Sequence, residues 1–571
     1  MRRDPLEAAA MVPRLFVATG ALALGVSAGW LFYLSLQPVP VSWVDWARTM
    51  LIGFSVFWLG WGALTALLGL LWRPAQDALG DLDSEPMPSF ATAIVIPIYN
   101  ENAGEVFARL RIMRDDLMAV GCVSGFDFHV LSDTRDADRV EVEKACYREV
   151  ARDPGLPIYY RNRTSNEGRK AGNIKEFVTR SGGAYEAMII LDADSLMTAR
   201  CMMRMVKAVA RDPKLGLLQT LPVVIGAETV FARIIAFATG LYGRTFARGL
   251  ALLQGRCGPF WGHNAIVRTR AFAQSCGLPV LPGEGPLAGH IMSHDTVEGA
   301  LLARRGWTVR CDPDLEGSYE EVPAHLLGFA ARDRRWCQGN LQHGRVLLAR
   351  GLPFWSRMNI GLGIIAYSAS ALWFSFLVLS LISAGTTSVY ERTMRVFLAL
   401  GDFQLSLLLG LIIGLLFLPK LLVALAGLAG YQNGILGNLR VLLGYAVEAV
   451  SAIFLAPILM MFQSRGIMEI LMGRDSGWTT AHRDQEALRL SECTRATFWM
   501  SVVAALGMAM TWYLSPLMFF WSLPVALPVL LAPVLVWITA KPVSARGAAR
   551  LGLIANTNQV LGGELRRIAD V

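Results

Sequence analysis

The chain has 571 residues, of which 54% are hydrophobic and only 17% charged, well short of the roughly 25% charged residues of an average soluble domain. A purely water-facing globule is therefore excluded. The net charge of +8 does not mark a nucleic-acid binder either, because the basic residues lie in short loops beside apolar runs, as the positive-inside bias of membrane proteins requires.

In chain order, a positively charged start (residues 1–14) leads into an apolar run at 15–36 with no small-residue cleavage site after it. A retained first span with its N-terminus inside is predicted, rather than a secretory leader. A second run at 50–72 follows, then a linker at 73–89 with Asp, Gly and Pro. These make an N-terminal membrane segment of residues 1–89. Residues 90–349 alternate strand-like and helix-like patterns and read as one soluble α/β domain. Residues 350–571 are membrane-like again, with runs near 360–384, 396–427, 441–462, 498–514 and 517–539 and a basic tail. The loop at 463–496 carries Arg465, Arg474, Arg483, Arg489 and Arg495, so loop, tail and soluble domain are all predicted on the cytoplasmic side. Equal sidedness requires an even number of crossings between domain and loop, so the three runs there need a fourth. A break of the long run near Pro419-Lys420 would supply it, giving about eight spans, five or six of them C-terminal. The eight cysteines form no CxxC pair and no Cys/His ligand spacing, which fits free thiols in a reducing cytosol.

Inside the soluble region, three apolar runs at 93–98, 126–131 and 187–191 end in polar residues: Tyr99-Asn100-Glu101, Ser132-Asp133-Thr134 and Asp192-Ala193-Asp194. Such runs suit strands of a parallel sheet buried on both faces, and ligands of such sheets bind outside the carboxyl ends of the strands. Asp192 and Asp194 point the same way on an extended segment, and two like charges in one cavity call for a hard cation such as Mg²⁺ or Mn²⁺ bridging to a diphosphate. A DxD that only caps the next helix is the alternative. The glycine-punctuated stretch 161–173 offers Lys170 as a point charge for phosphate at a helix start, or else is a solvated loop; it contains neither GxxxxGK[ST] nor GxGxxG. Asp295, at the start of a helical pattern, is either an N-cap or a general base. Arg335 and Trp336 sit just before the membrane returns, suited to interfacial anchoring, to phosphate and sugar contacts, or to both.

These motifs resemble the family 2 glycosyltransferases, whose D, DxD, D, QxxRW signature falls on Asp133, Asp192 with Asp194, Asp295, and Arg335-Trp336, with Arg332 in place of the Gln. The stretches 96–101, 167–174, 262–266, 293–295 and 335–340 are similar to the glucans biosynthesis glucosyltransferase H branch. That resemblance implies a GT-A-type domain inserted in an α-helical multi-spanning membrane domain of the bacterial inner membrane. It implies a processive, inverting enzyme that uses UDP-glucose and Mg²⁺ or Mn²⁺ to extend a linear β-1,2-glucan, the backbone of osmoregulated periplasmic glucans. Asp295 would be the base. Tyr99, Glu101, Asp133, Lys170, Asp192, Asp194 and Arg335 would bind the donor, with Asp192 and Asp194 holding the metal. Trp336, Gln219, His263 and Asn264 would meet the acceptor, and Arg474 and Trp478 would belong to a gating loop. A periplasmic glucan-modifying partner and acyl carrier protein are implied by the family alone. A cellulose-like β-1,4 synthase, and a transporter with a nucleotide-binding cytosolic domain, remain the alternatives.

Overall fold

A computed structural model of the chain describes residues 5–37, 41–72, 82–122, 124–388, 402–430, 434–475 and 488–551. Two long apolar helices, α1 (Pro5–Ser35) and α2 (Trp43–Leu71), form a hairpin. The α/β domain follows. Its strands are β1 (Thr92–Ile98), β2 (Phe126–Ser132), β3 (Ile158–Asn162), β4 (Ala187–Ile190), β5 (Leu196–Met197), β6 (Leu215–Thr220), β7 (Val223–Ile225), β8 (Ala265–Arg268), β9 (Thr308–Asp312) and β10 (Ser318–Glu321). Between them lie helices α3 (Ala103–Ala119), α4 (Ala137–Arg152), α5 (Arg169–Ser181), α6 (Ala199–Arg211), α7 (Val230–Ala238), α8 (Arg244–Gln254), α9 (Thr269–Ser275) and α10 (His294–Arg304).

Seven strands form one mixed sheet in the order β3-β2-β1-β4-β8-β6-β9, and β5, β10 and β7 form a small second sheet. β8 runs antiparallel to both of its neighbours, while the other pairs in the large sheet are parallel. The three apolar runs of the sequence are the central strands β1, β2 and β4. All seven residues of β1 are buried because helices cover both faces. Ile94, Ile96 and Ile98 meet Phe107 and Leu110 of α3 and Met205 of α6 on one side. Ala93 and Val95 meet Ile174 and Phe177 of α5 and Phe272 of α9 on the other. Each such fully buried large side chain stabilises by about 1.5–3 kcal/mol, so this sheet is the rigid part on which the loops are hung. The end of the expected linker belongs to it too: Leu82 is fully buried in the core, and Asp83 pairs with Arg200.

After the domain come α11 (Leu326–Gln342), α12 (Phe354–Thr386), α13 (Phe403–Gly430), α14 (Gly434–Leu471), α15 (Leu490–Leu514), and the pair α16 (Pro516–Leu530) and α17 (Ala532–Thr539). Among the described residues six helices are long and apolar enough to cross a membrane, or seven if the α16–α17 pair, bent by 55°, counts as one. This is a multi-pass membrane protein. The run expected to break near Pro419 does not: α13 continues through it, as apolar helices tolerate when neighbours re-satisfy the freed backbone groups. Nor is 463–496 all loop, since α14 extends to Leu471 and α15 begins at Leu490.

α14 lies along the α/β domain for much of its length. Val447 packs with Ile234 and Phe237 of α7, and Leu455 and Ile458 pack with Phe231 and Leu326. Gln463 donates to Asp333 (2.8 Å), Glu469 pairs with Arg334 (3.0 Å), and Asp475 just beyond accepts from Gln338 (2.9 Å). Lys420 of α13 pairs with Glu448 (2.8 Å) and stands 4.8 Å from the Tyr242 ring, in a π-helical turn (Thr239–Gly243). Past α17 the chain returns to the same region: Val230 N–H donates to Lys541 O (3.0 Å) and Val543 N–H to Glu228 O (2.8 Å), closing an antiparallel bridge between Thr229 and Pro542.

The hairpin and the domain meet where α2 crosses α8. A Cβ on Gly69 would collide with the Thr245 carbonyl, and one on Gly249 with the Thr65 carbonyl, so the two backbones touch only because both residues are glycine. Arg14 of α1 adds hydrogen bonds to Leu253 O (2.7 Å) and Gln254 O (3.2 Å). Gly249→Leu is expected to overpack this crossing and destabilise the protein by about 1–3 kcal/mol, read as a lowered unfolding midpoint in detergent, whereas Gly183→Leu, with nothing within 4 Å of its Cβ position, leaves the midpoint in place.

Candidate active site

The carboxyl ends of β1, β2 and β4 carry the three polar endings, and the structure brings them to one edge. After β1, Tyr99 N–H donates to the Glu101 carboxylate, and Asn100, at φ 60°, donates its N–H to Thr134 Oγ1 (2.9 Å). After β2, Asp133 is 5% exposed and both its oxygens are engaged. Arg163 forms a two-pronged pair with them, and Asn173 Nδ2 adds a bond at 3.0 Å. Burial raises the Asp133 carboxyl, while Arg163 opposes the rise. The same guanidinium donates to Glu167 O (3.0 Å) and Arg169 O (2.8 Å), holding the turn where Gly168 (φ 67°) and Arg169 (φ 52°) are left-handed and α5 begins. Asp133 therefore shapes the loop that presents Lys170.

Lys170 is where the loop meets the DxD. Its Nζ pairs with Asp192 and donates to Gly262 O (2.8 Å). Asp194 is buried. Gly262 stands against the base candidate, because a Cβ built on it lies 3.3 Å from Asp295 Oδ2. Asp295 is in the first turn of α10; the cap position belongs to Ser293. Lys170, Asp192, Gly262 and Asp295 thus form one connected site.

His263 joins the carboxylate group rather than a sugar path. Its Nε2 is 3.6 Å from Glu320 of β10. Burial alone would lower its pKa, yet Asp192, Glu320 and Asp194 hold it above the ordinary imidazole value. Glu320 is raised in turn by burial, with Asp194 and Asp192 adding to the rise and His263 opposing it. Among the described residues no three His, Cys, Asp or Glu side chains converge to hold a metal by themselves, so a bound diphosphate would have to supply ligands beside Asp192 and Asp194.

Two expected acceptor contacts are corrected. Gln219 and Asn264 are both fully buried. Gln219 Nε2 donates to His263 O (2.9 Å) and its Oε1 accepts from Trp261 N–H (2.9 Å). Asn264 Nδ2 donates to Ser318 Oγ (2.8 Å) and Tyr319 O (3.0 Å). They brace the 261–264 turn from behind, since a polar side chain on an inner strand finds its partners in the backbone around it. Trp336 of α11 is 45% exposed. Arg332, in the position where the wider pattern has Gln, stacks its guanidinium 4.7 Å from the Trp336 ring. Arg335 is half-buried on the same helix. Arg474 is exposed just past α14, and Trp478 lies outside the described residues. Glu320, Arg163 and Asn173 went unread in the sequence; the short strand ending in Glu320-Glu321 was the only local signal for the first of them.

A mixed sheet with a DxD at a central strand end, a basic loop over it and a carboxylate opposite defines a nucleotide-sugar transferase of the GT-A type. Two family models agree: residues 93–275 match "Glycosyl transferase family 2" and 187–426 match "Glycosyl transferase family group 2". The chain is 43% identical over 545 residues to the glucans biosynthesis glucosyltransferase H of Cereibacter sphaeroides, covering 94% of this chain and 91% of that one. Its counterpart in Caulobacter vibrioides is 44% identical over 494 residues (84% and 72% of the two chains), and that of Xylella fastidiosa 37% over 532 (90% and 83%). Among solved structures, a Pyrobaculum calidifontis mannosyltransferase in complex with GDP-Man and Mn²⁺ aligns with a TM-score of 0.44 at 16% identity, over 66% of this chain and 99% of that one. The chain belongs to the glucans biosynthesis glucosyltransferase H family.

Arg163→Met leaves Asp133 buried without its partner and is expected to cost about 3–5 kcal/mol. Asp133→Asn added to it should restore part of that loss, as the shift of the denaturation midpoint between single and double variants will show.

Proposed function

We propose that the enzyme transfers glucose from UDP-glucose to the end of a growing β-1,2-glucan, the backbone of osmoregulated periplasmic glucans, with inversion at the anomeric carbon and repeated extension. The observation that carries the reading is the meeting at Gly262: its carbonyl holds Lys170 on Asp192, and a Cβ built on it would lie 3.3 Å from the Asp295 carboxylate. Donor and base are one residue apart across the pocket. Asp295 takes the proton of the acceptor hydroxyl as that oxygen bonds to C1, and the C1–phosphate bond breaks on the opposite face, releasing UDP. A divalent cation bound at Asp192 and Asp194 would neutralise charge on the diphosphate. Lys170 and Arg335 add fixed positive charge there. Trp336, its ring backed by Arg332, offers an aromatic face to the acceptor sugar.

The contacts of α14 support a cytoplasmic α/β domain in the bacterial inner membrane with six crossings rather than eight. α13 runs from the far ends of α1 and α2, where Leu408 packs with Phe32 and Val56, to Tyr242 of the domain. α14 then stays on the domain side, so α15 and the α16–α17 pair complete an even count and return the basic tail to the domain. In this arrangement a cysteine at Arg440, in a background free of other cysteines, reacts with an impermeant maleimide only from the side that labels a cysteine at Arg135; labelling from the opposite side would mean that α14 crosses.

The function is tested on purified protein in lipid with labelled UDP-glucose and Mg²⁺. Label should enter a polymer resistant to β-1,4-glucanase, and Asp295→Asn should lower turnover by about 10²–10⁴-fold, the usual worth of a general base. Equal synthesis by the variant, or a polymer that the glucanase digests, would contradict the base or the linkage respectively.

A further inference from the structure

The residues before Asp295 form an ordered strap whose ties converge on one place. Leu281 and Gly289 pair through two backbone hydrogen bonds of 2.9 Å each, and the strap runs on through Ile291 and Ser293 to the first turn of α10. The carbonyls of Pro282, Pro286, Leu287, Ala288, His290 and Ser293 along it are taken by side chains of the last turns of α11 and of the 3₁₀ turn that follows (His343–Arg345). Gln342 is 1% exposed. Its Nε2 faces Pro286 O and Ala288 O (3.2 Å each), and its Oε1 accepts from Met292 N–H (2.9 Å). Gln338 Nε2 donates to Pro286 O (3.0 Å), and Arg345 to Pro282 O (2.7 Å). Fully buried His343 reaches Ser293 O through Nε2 at 2.8 Å. A carbonyl only accepts, so Nε2 carries the proton.

Two further facts separate this arrangement from ordinary packing. A Cβ on Gly339 would strike the Ser293 side chain and would lie 2.7 Å from its backbone nitrogen, so α11 touches the strap at the residue that caps α10. Moreover, His343 Nδ1 is buried without a hydrogen-bond partner among the described residues, a desolvation cost that an apolar side chain would avoid. A histidine there is explained by what Nε2 holds, the carbonyl two residues before Asp295.

From this geometry we propose that Gln342 and His343 are positioning residues for the transfer reaction: they fix the strap, and through Ser293 the first turn of α10, so that Asp295 faces the acceptor held by Trp336 of the same α11 helix. The inference rests on the reading of Asp295 as the base. Helix α11 then sets both ends of one event, the aromatic surface under the acceptor sugar and the carboxylate that deprotonates it. Gln342 and His343 are not among the residues placed on UDP-glucose, of which Arg335 alone lies on α11.

The test is steady-state glucan synthesis with the full-length protein in lipid. His343→Asn, too short to reach Ser293 O, should lower kcat by about 10–100-fold, the loss expected when a reacting group is misplaced by an ångström or so. The KM for UDP-glucose should stay within about twofold, since donor binding is untouched. His343→Gln, whose amide can donate from nearly the Nε2 position, should regain a third or more of the lost rate, on the order expected for a restored hydrogen bond. Gln342→Met should repeat the kcat-only loss and serves if His343→Asn does not fold. Wild-type turnover in His343→Asn or Gln342→Met, parallel changes in kcat and KM, or a His343→Gln no better than Asn would each overturn the proposal. Asp295→Asn, run beside them, keeps the two readings apart: an active Asp295→Asn removes the base assignment itself, whereas an inactive one with an unimpaired His343→Asn removes only the positioning role.

Discussion

Charge balance at the carboxyl edge of one sheet governs this molecule. Parallel strands deliver Asp133, Asp192 and Asp194 to a common crevice, and β10 adds Glu320. Carboxylates gathered in a partly buried place repel and lose hydration, so each must be matched by a cation or raised toward its neutral form. Arg163 matches Asp133 and, in doing so, shapes the left-handed turn before α5. Lys170, launched from that turn, matches Asp192 and reaches across to Gly262. His263 is drawn toward its charged form by the same group of acids. The loops around the site are placed by these pairings, and a cation bound among the carboxylates would in turn attract the anionic diphosphate of a nucleotide.

Much of this was legible because period and composition are local properties. Strands buried on both faces advertise themselves as unbroken apolar runs, and a polar residue directly after such a run is at the carboxyl edge whatever the rest of the chain does. Side-chain direction is another matter. Gln219, within β6, and Asn264, just before the antiparallel β8, lie towards the same edge as Asp133, yet they turn inward, because the backbone of the 261–264 turn needed donors and acceptors that only the folded neighbourhood reveals. Gln342 and His343 escaped notice for the same reason: their partners are backbone groups, which carry no sequence signature.

The membrane half is where composition and packing have to be read together. α14 is as apolar as a spanning helix, and part of it also lies against α7 and α11. Hydropathy reports what a helix is buried in; the neighbours decide along which direction. The α2–α8 crossing shows the converse. Gly69 and Gly249 look unremarkable in an apolar and a polar segment, and only their contact explains why neither can carry a side chain.

The bridge between Thr229 and Pro542 has a bearing on how the molecule is made. One strand of it lies in the middle of the α/β domain and the other close to the end of the chain, with every helix from α12 to α17 between them. A ribosome working from the N-terminus delivers the whole sheet, its charged edge and the strap before Asp295 well ahead of residues 541–543. The domain can therefore fold early, as domains do during synthesis, but its seam with the last helices stays open until residues 541–543 emerge. Completion of this seam is thereby tied to completion of the last helices, and a chain cut short after α15 would carry the full set of catalytic side chains on a domain whose Thr229 lacks the backbone that bridges to it.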